Sequence, residues 1–343
     1  MKTSKIWSKT VVFMTSLLLC GCAFVTYVID PFEQYRESSI LPLYDQESYN
    51  NPGIAKNYTF DGAILGTSMV EMSMPSVIDE CFGTSSVKLP MRGSHISQMG
   101  WQMSHVFDRH EMKAVILAVD AYSLMGAPDD MEEIYEYLWN DNPLDDVKYL
   151  LNRDVLLVKI PLILKNRGKS LEGKRDAMYQ WVDVVFSEES MLKSVHFSAQ
   201  KDMKPAEERI ERSTENIERH LVPCIRAHPE TQFYIYMPPY SVAYWYLMTR
   251  GGLSEQQFRS RKRVCELLLQ YDNVKIFDYS CKSEWTTNLN NYFDYSHHST
   301  EISNLVMESM AKNLNRVYDE EDMERGSKII RNDVIQFIDE YEK

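Results

Sequence analysis

The chain has 343 residues, 44% of them hydrophobic, with 37 Lys and Arg against 50 Asp and Glu for a net charge of −13. That length exceeds a usual domain of roughly 100 to 200 residues and allows a large core, so one elaborated domain or two are both open. The composition excludes a disordered or low-complexity chain, and the acidic balance argues against nucleic acid, whose phosphates need clustered Lys and Arg.

Between Lys9 and Asp30 run twenty residues without a charge, TVVFMTSLLLCGCAFVTYVI. At ~1.5 Å per residue they suffice to cross a bilayer core of roughly 30 Å, so residues 1–30 are predicted to be a transmembrane anchor. Lys2, Lys5 and Lys9 precede the run. The positive-inside bias therefore places the N-terminus in the cytoplasm and the rest outside. A cleaved signal peptide and a lipoprotein signal at Leu19-Cys20-Gly21-Cys22 are the alternatives, although the apolar run continues past Cys22 through Phe24, Val25, Tyr27 and Val28. From Asp30 onward, 34 basic residues face 50 acidic ones, a balance of −16. Of six cysteines, Cys81, Cys224, Cys265 and Cys281 lie beyond the anchor without a CxxC pair, as for a disulfide or buried thiols.

Residues 31–55, from Asp30-Pro31-Phe32 to Asn51-Pro52-Gly53, read as an extended stalk. From residue 56 an alternation begins. DGAILG is a buried strand, Pro75 opens a helix, SSVKLP is a second strand, and Ile96 to His110 is helical with Met99, Met103, Val106 and Phe107 on one face. KAVILAVDAYS is the third and strongest strand. Continuous apolar strands alternating with helices predict a three-layer α/β domain over 56–317, with a parallel sheet between helices.

The alternation breaks from Gly126 to Pro205, a helical insertion that reads as a lid or specificity element. It resumes with a helix from Pro205 striped by Ile210, Ile217, Leu221 and Ile225, then the strand TQFYIYM, a helix that Ser254 and Gln257 would open as a capping box, and the strand NVKIFDY. A loop, NNYFDYSHHS, enters a helix with Ile302, Leu305, Val306 and Met310 inward. Residues 318–343 carry an amphipathic helix (Ile329, Ile330, Val334, Phe337, Ile338).

Ligands of parallel α/β sheets bind beyond the carboxyl ends of the strands. Ser68 follows the first strand, Gly93 the second, and Asp120 and Tyr122 the third, while Asp294 and His297 lie before the last helix. A serine hydroxyl needs a base to take its proton, and that base needs a carboxylate to fix its tautomer. His297 and Asp294, three apart at a helix start, fit that pair. Glycine at 93 would let an oxyanion-hole N–H come close beside that of Ser68. Arg92 and His95, flanking that turn, are candidates for substrate contact. His298 competes with His297, and the spacing from Asp294 favours His297. Asp294, His297 and His298 could instead hold a metal, but neighbouring histidines seldom share one ion, so neither metal nor cofactor is expected.

Each block has a bland reading as a turn or cap; together, in order, they resemble the SGNH/GDSL hydrolase superfamily. Gly66-Thr67-Ser68 stands for the Gly-Asp-Ser block, Gly93 for the second-block glycine and Asp294-x-x-His297 for the closing block, across roughly residues 56 to 315. The anchor, DPFEQY, NPGIAKNY and NNYFDYSHHS look like the membrane-anchored members related to the D-alanyl transfer protein of teichoic acids and to alginate-type O-acetyltransferases. The resemblance implies a flavodoxin-like sheet, Ser68 as nucleophile, His297 as general base, Asp294 as its orienter and Gly93 in the oxyanion hole. It further implies an extracytoplasmic O-acyl, chiefly acetyl, transferase or esterase acting on a cell-envelope polysaccharide beside a membrane-bound O-acyltransferase. One departure stands out. The third block should bring an Asn whose amide donates to the oxyanion, and here it brings Asp120. A non-catalytic partner of the acyltransferase and an exported lipase are the rival readings.

Overall fold

The computed structural model describes residues 2–38, 44–132, 134–166, 173–197, 199, 201 and 206–342. The chain divides into two compact units: Met1–Tyr58 with Glu133–Lys174, and Thr59–Glu132 with Arg175–Lys343.

The larger unit is built on a six-stranded sheet. Its strands are β1 (Gly62–Gly66), β2 (Ser86–Pro90), β3 (Ala114–Ala118), β4 (Gln232–Met237), β5 (Val274–Asp278) and β6 (Arg316–Val317). Their order is β2-β1-β3-β4-β5-β6, the first five parallel and β6 antiparallel to β5 at the edge. The parallel order 2-1-3-4-5 is one of the two common doubly wound arrangements, and it puts the switch in strand order between β1 and β3.

Every residue of β1, β2 and β3 is buried, as strands covered on both faces must be. On one face Ile64, Ile116, Tyr236 and Phe277 pack with Val70, with Ile78 of the helix Pro75–Phe82, and with Val306, Met307 and Met310 of the helix Thr300–Ala311. Side chains alternate along a strand, so Leu65, Val115 and Leu117 face the opposite layer. The remaining helices, Ile96–Phe107, the run Glu207–Ala227 and Ser254–Leu268, bury Met99, Met103, Val106, Ile210, Ile217, Leu221, Ile225, Val264 and Leu268. The C-terminal helix Glu320–Tyr341 turns Ile330, Val334 and Phe337 onto the helix Val242–Arg250 and so belongs to this core.

Four expectations are corrected or fall away. The helix at Ser254 has Leu253 at its cap and no side-chain capping bond, because Gln257 is buried and accepts the Tyr244 hydroxyl at 2.9 Å instead. The start of the preceding helix at Pro205 lies outside the described residues. Residues 31–55 are not an extended stalk throughout: Glu47–Asn57 is a helix with Pro52 inside it, burying Asn50 to Ala55. The break from Gly126 to Pro205 is not one body either, since 133–174 joins the N-terminal unit and 175 onward joins the sheet.

In the smaller unit, the helix Lys2–Ile29 ends at Asp30, whose carboxylate accepts the Gln34 and Tyr35 N–H groups at 2.8 and 2.9 Å and the Tyr149 hydroxyl at 3.1 Å. A core of Phe32, Leu138, Tyr149, Val155, Ile160 and Ile163 gathers there. The buried pair Lys174–Glu33, at 2.8 Å, is completed by the Tyr58 hydroxyl, which donates to Glu33 at 2.8 Å. The described cysteines are all free thiols, Cys224 and Cys265 fully buried.

Candidate active site

β1 runs out at Gly66, where a Cβ would lie 2.7 Å from Val70 Cγ1 and 2.8 Å from Ala118 Cβ, so only glycine lets the chain turn between its neighbours. Thr67 then caps a 3-10 turn, Ser68–Val70, that buries Met69 and Val70 and leaves Ser68 half-buried at its mouth. From the far end of the chain, His297 reaches it: Ser68 Oγ lies 2.9 Å from His297 Nε2. His297 Nδ1 lies 2.8 Å from Asp294 Oδ2. A carboxylate only accepts, so Nδ1 carries the proton and Nε2 is left to accept from the Ser68 hydroxyl.

The Asp294–His297 pairing arises from a turn and not from a helix start. Asp294 Oδ1 accepts the N–H groups of Ser296 and His297, each at 2.8 Å, and the loop closes through Phe293 N–H to His297 O at 3.2 Å. The following helix begins only at Thr300, capped by Ser299. Burial drives the Asp294 carboxyl pKa upward, but the His297 ring and the two backbone donors outweigh it and hold the group below the usual carboxylate range. His298 turns the other way, bridges with Tyr292 and is 3% exposed. Burial pushes its pKa down to about 4, so it stays neutral inside the domain.

His297 is walled by two aromatic rings. Phe293 stacks parallel to it at 5.4 Å and Trp181 meets it edge-on at 4.5 Å. The Trp181 indole N–H donates to Glu71, a fully buried carboxylate three residues after Ser68, which also pairs with Arg92 Nε at 2.7 Å. Glu71, Trp181 and Phe293 were not among the sequence candidates. Phe293 could have been found from its place beside the Asp-x-x-His turn; Trp181, over a hundred residues from either partner, carries no local signal.

At the end of β2, Met91 N–H donates to Gly66 O at 2.8 Å and Ser94 N–H to Met91 O at 3.2 Å, so the Arg92-Gly93 turn stands beside the end of β1. Gly93 is exposed with φ +62°, a left-handed conformation that glycine adopts without strain. Among the described residues, neither the Ser68 nor the Gly93 N–H has an acceptor. Arg92 and Tyr122 are exposed, and the His95 ring tilts against Tyr122 at 5.2 Å with Nε2 3.5 Å from Asp130.

Asp120 is a correction. It is 4% exposed and faces inward, accepting Ser123 N–H at 2.8 Å, the Thr67 hydroxyl at 3.2 Å and the Tyr240 hydroxyl. Burial raises its pKa against those donors. With its acceptors engaged, it holds the Ser68 turn through Thr67. Among the described residues no group of three His, Cys, Asp or Glu is arranged to hold a metal ion.

No family model matches the chain, and no curated protein matches it as a relative.

Proposed function

We propose that the chain is a membrane-tethered, serine-dependent acyl-group enzyme of the SGNH type, an O-acyl (chiefly acetyl) transferase or esterase acting outside the cytoplasm on a cell-envelope polysaccharide. The observation that carries the reading is the unbroken relay from Ser68 Oγ through His297 to Asp294, with contacts of 2.9 and 2.8 Å. In this reading Ser68 Oγ attacks an ester carbonyl carbon while His297 Nε2 takes its proton, and Asp294 stabilises the imidazolium. Charge on the carbonyl oxygen is met by the unengaged N–H groups of Ser68 and Gly93. His297 then returns the proton to the leaving alkoxide, giving an acyl-Ser68 that passes to an acceptor hydroxyl, of a sugar or of water.

The helix Ser4–Ile29 is long and apolar enough to cross a membrane, with a mean hydropathy of 2.2. Lys2, Lys5 and Lys9, at and before its N-terminal end, favour a cytoplasmic N-terminus, which sets Ser68 on the outer side, where the acceptors are surface glycans and a membrane-bound O-acyltransferase could supply acyl groups. The test is intact mass after fluorophosphonate treatment of the detergent-solubilised chain. One adduct on Ser68, absent from Ser68→Ala and His297→Ala, is expected. A folded chain that takes up no adduct removes the enzyme reading.

A further inference from the structure

The run Val155–Asn166 in the smaller unit has its polarity inside out. It comprises a π-helical stretch, Val155–Lys159, continued by the α-helix Ile160–Asn166. Val155, Ile160 and Ile163 point into the core with Phe32 and Tyr149. A helix with one face so buried normally shows polar residues on the other. Here the outward stripe is Leu157, Val158, Pro161, Leu162 and Leu164, with Leu157 68% and Val158 52% exposed. The charge that would suit water, Lys159, is turned inward onto Asp45 at 2.7 Å.

This stripe continues an apolar surface already present. Leu156 lines one apolar cleft with Met14, Leu17, Leu18, Gly21, Cys22 and Val25 of the N-terminal helix. Thr26 Oγ1 donates to Leu150 O at 2.9 Å, tying the approach to this run to the same end of that helix. The lining residues of that helix lie four to fifteen residues before its end at Ile29, about 6 to 22 Å along the axis, a span that begins at the ~5–10 Å depth at which interfacial helices seat their apolar face. At 12 residues the run spans ~18 Å, too short to cross a bilayer. Exposed Lys165, in its last turn, offers a positive charge to anionic headgroups.

We propose that Val155–Asn166 is a second, monotopic membrane contact, lying in the headgroup and acyl boundary of the leaflet at the Ile29 end of the anchor, with Leu157, Val158, Leu162 and Leu164 in lipid. The proposal rests on the reading that the N-terminal helix spans the bilayer. It is tested on the full chain in vesicles of phosphatidylcholine and phosphatidylglycerol, with the photoreactive residue p-benzoylphenylalanine placed singly at Leu18, Leu157, Leu162 and Glu136. Lipid adducts at Leu157 and Leu162 are expected at least about tenfold above those at exposed Glu136. Adducts at Leu18 without adducts at Leu157 and Leu162 overturn the proposal while the anchor stands. No adduct at Leu18 removes the anchor and the proposal with it. Protein cross-links in place of lipid at Leu157 and Leu162 overturn it in favour of a second copy or a protein partner on this face.

Discussion

Two adjacent histidines are separated in role by a turn only a few residues long. His297 keeps its ring between Ser68 and Asp294, whereas His298 is enclosed and pushed down to about 4. Asp294→Asn keeps the size of the side chain but offers His297 Nδ1 an amide, so the tautomer that leaves Nε2 free is lost. Under the proposed mechanism turnover of a small acetyl ester should fall by about 10³- to 10⁴-fold with the melting temperature nearly unchanged. A fall of less than about tenfold would show that Asp294 does not orient the base. Ser68 was legible because it follows a strand end, and Asp294 and His297 because their three-residue spacing suits a tight turn as well as the predicted helix start. Asp120 follows a strand end too, yet only its burial reveals that it points inward.

At the scale of elements, the ends of β1, β3 and β4 are stitched together through Asp120, which joins Thr67, Ser123 and Tyr240. Asp120→Ala leaves the Tyr240 hydroxyl and the Ser123 N–H without their acceptor, so it should destabilise the unit by about 3 kcal/mol and slow fluorophosphonate labelling of Ser68. Labelling at the wild-type rate would mean that the turn holds its shape without the stitch. β1 and β3 were readable in advance because they are unbroken apolar runs buried on both faces, whereas β2 carries the buried Lys88 at its centre. The helix Glu47–Asn57 was not, since Pro52-Gly53 is the local signature of a loop and only burial of Asn50 to Ala55 overrides it. The division of the chain was hidden for a related reason, since 133–174 joins residues 1–58, at least 75 positions earlier.

For the whole molecule, buried ionisable groups set a dependence of stability on pH. Lys88, in the middle of β2, donates to the carbonyls of Glu71 and Asp176 at 2.9 and 3.0 Å, and burial drives its pKa down to about 7. Unfolded, it would bind a proton up to roughly pH 10.4, so between these values the unfolded chain holds more protons and this group's contribution to stability rises with pH, by up to about 5 kcal/mol. His298 acts in the same sense lower down: stability is lost as pH falls from roughly 6.5 towards 4. Above roughly pH 8.5 the trend is opposed, because burial raises the thiols of Cys224, Cys265 and Cys281 while the unfolded ones ionise, and above pH ~10 the buried phenols of Tyr236, Tyr240, Tyr244 and Tyr292 add to the reversal. Urea unfolding from pH 5 to 11 should therefore show maximal stability in mild alkali. In Lys88→Met the rise between pH 7 and 10 should vanish; a rise that persists would place its origin elsewhere.

The hydroxyl and the base that meet at 2.9 Å are separated by 229 positions of sequence. A chain made from its N-terminus exposes Ser68 early, as an ordinary alcohol. Under the proposed mechanism it would gain reactivity only when the loop between β5 and the helix Thr300–Ala311 has docked, bringing His297 to its hydroxyl. Competence would thereby be coupled to completion of the chain.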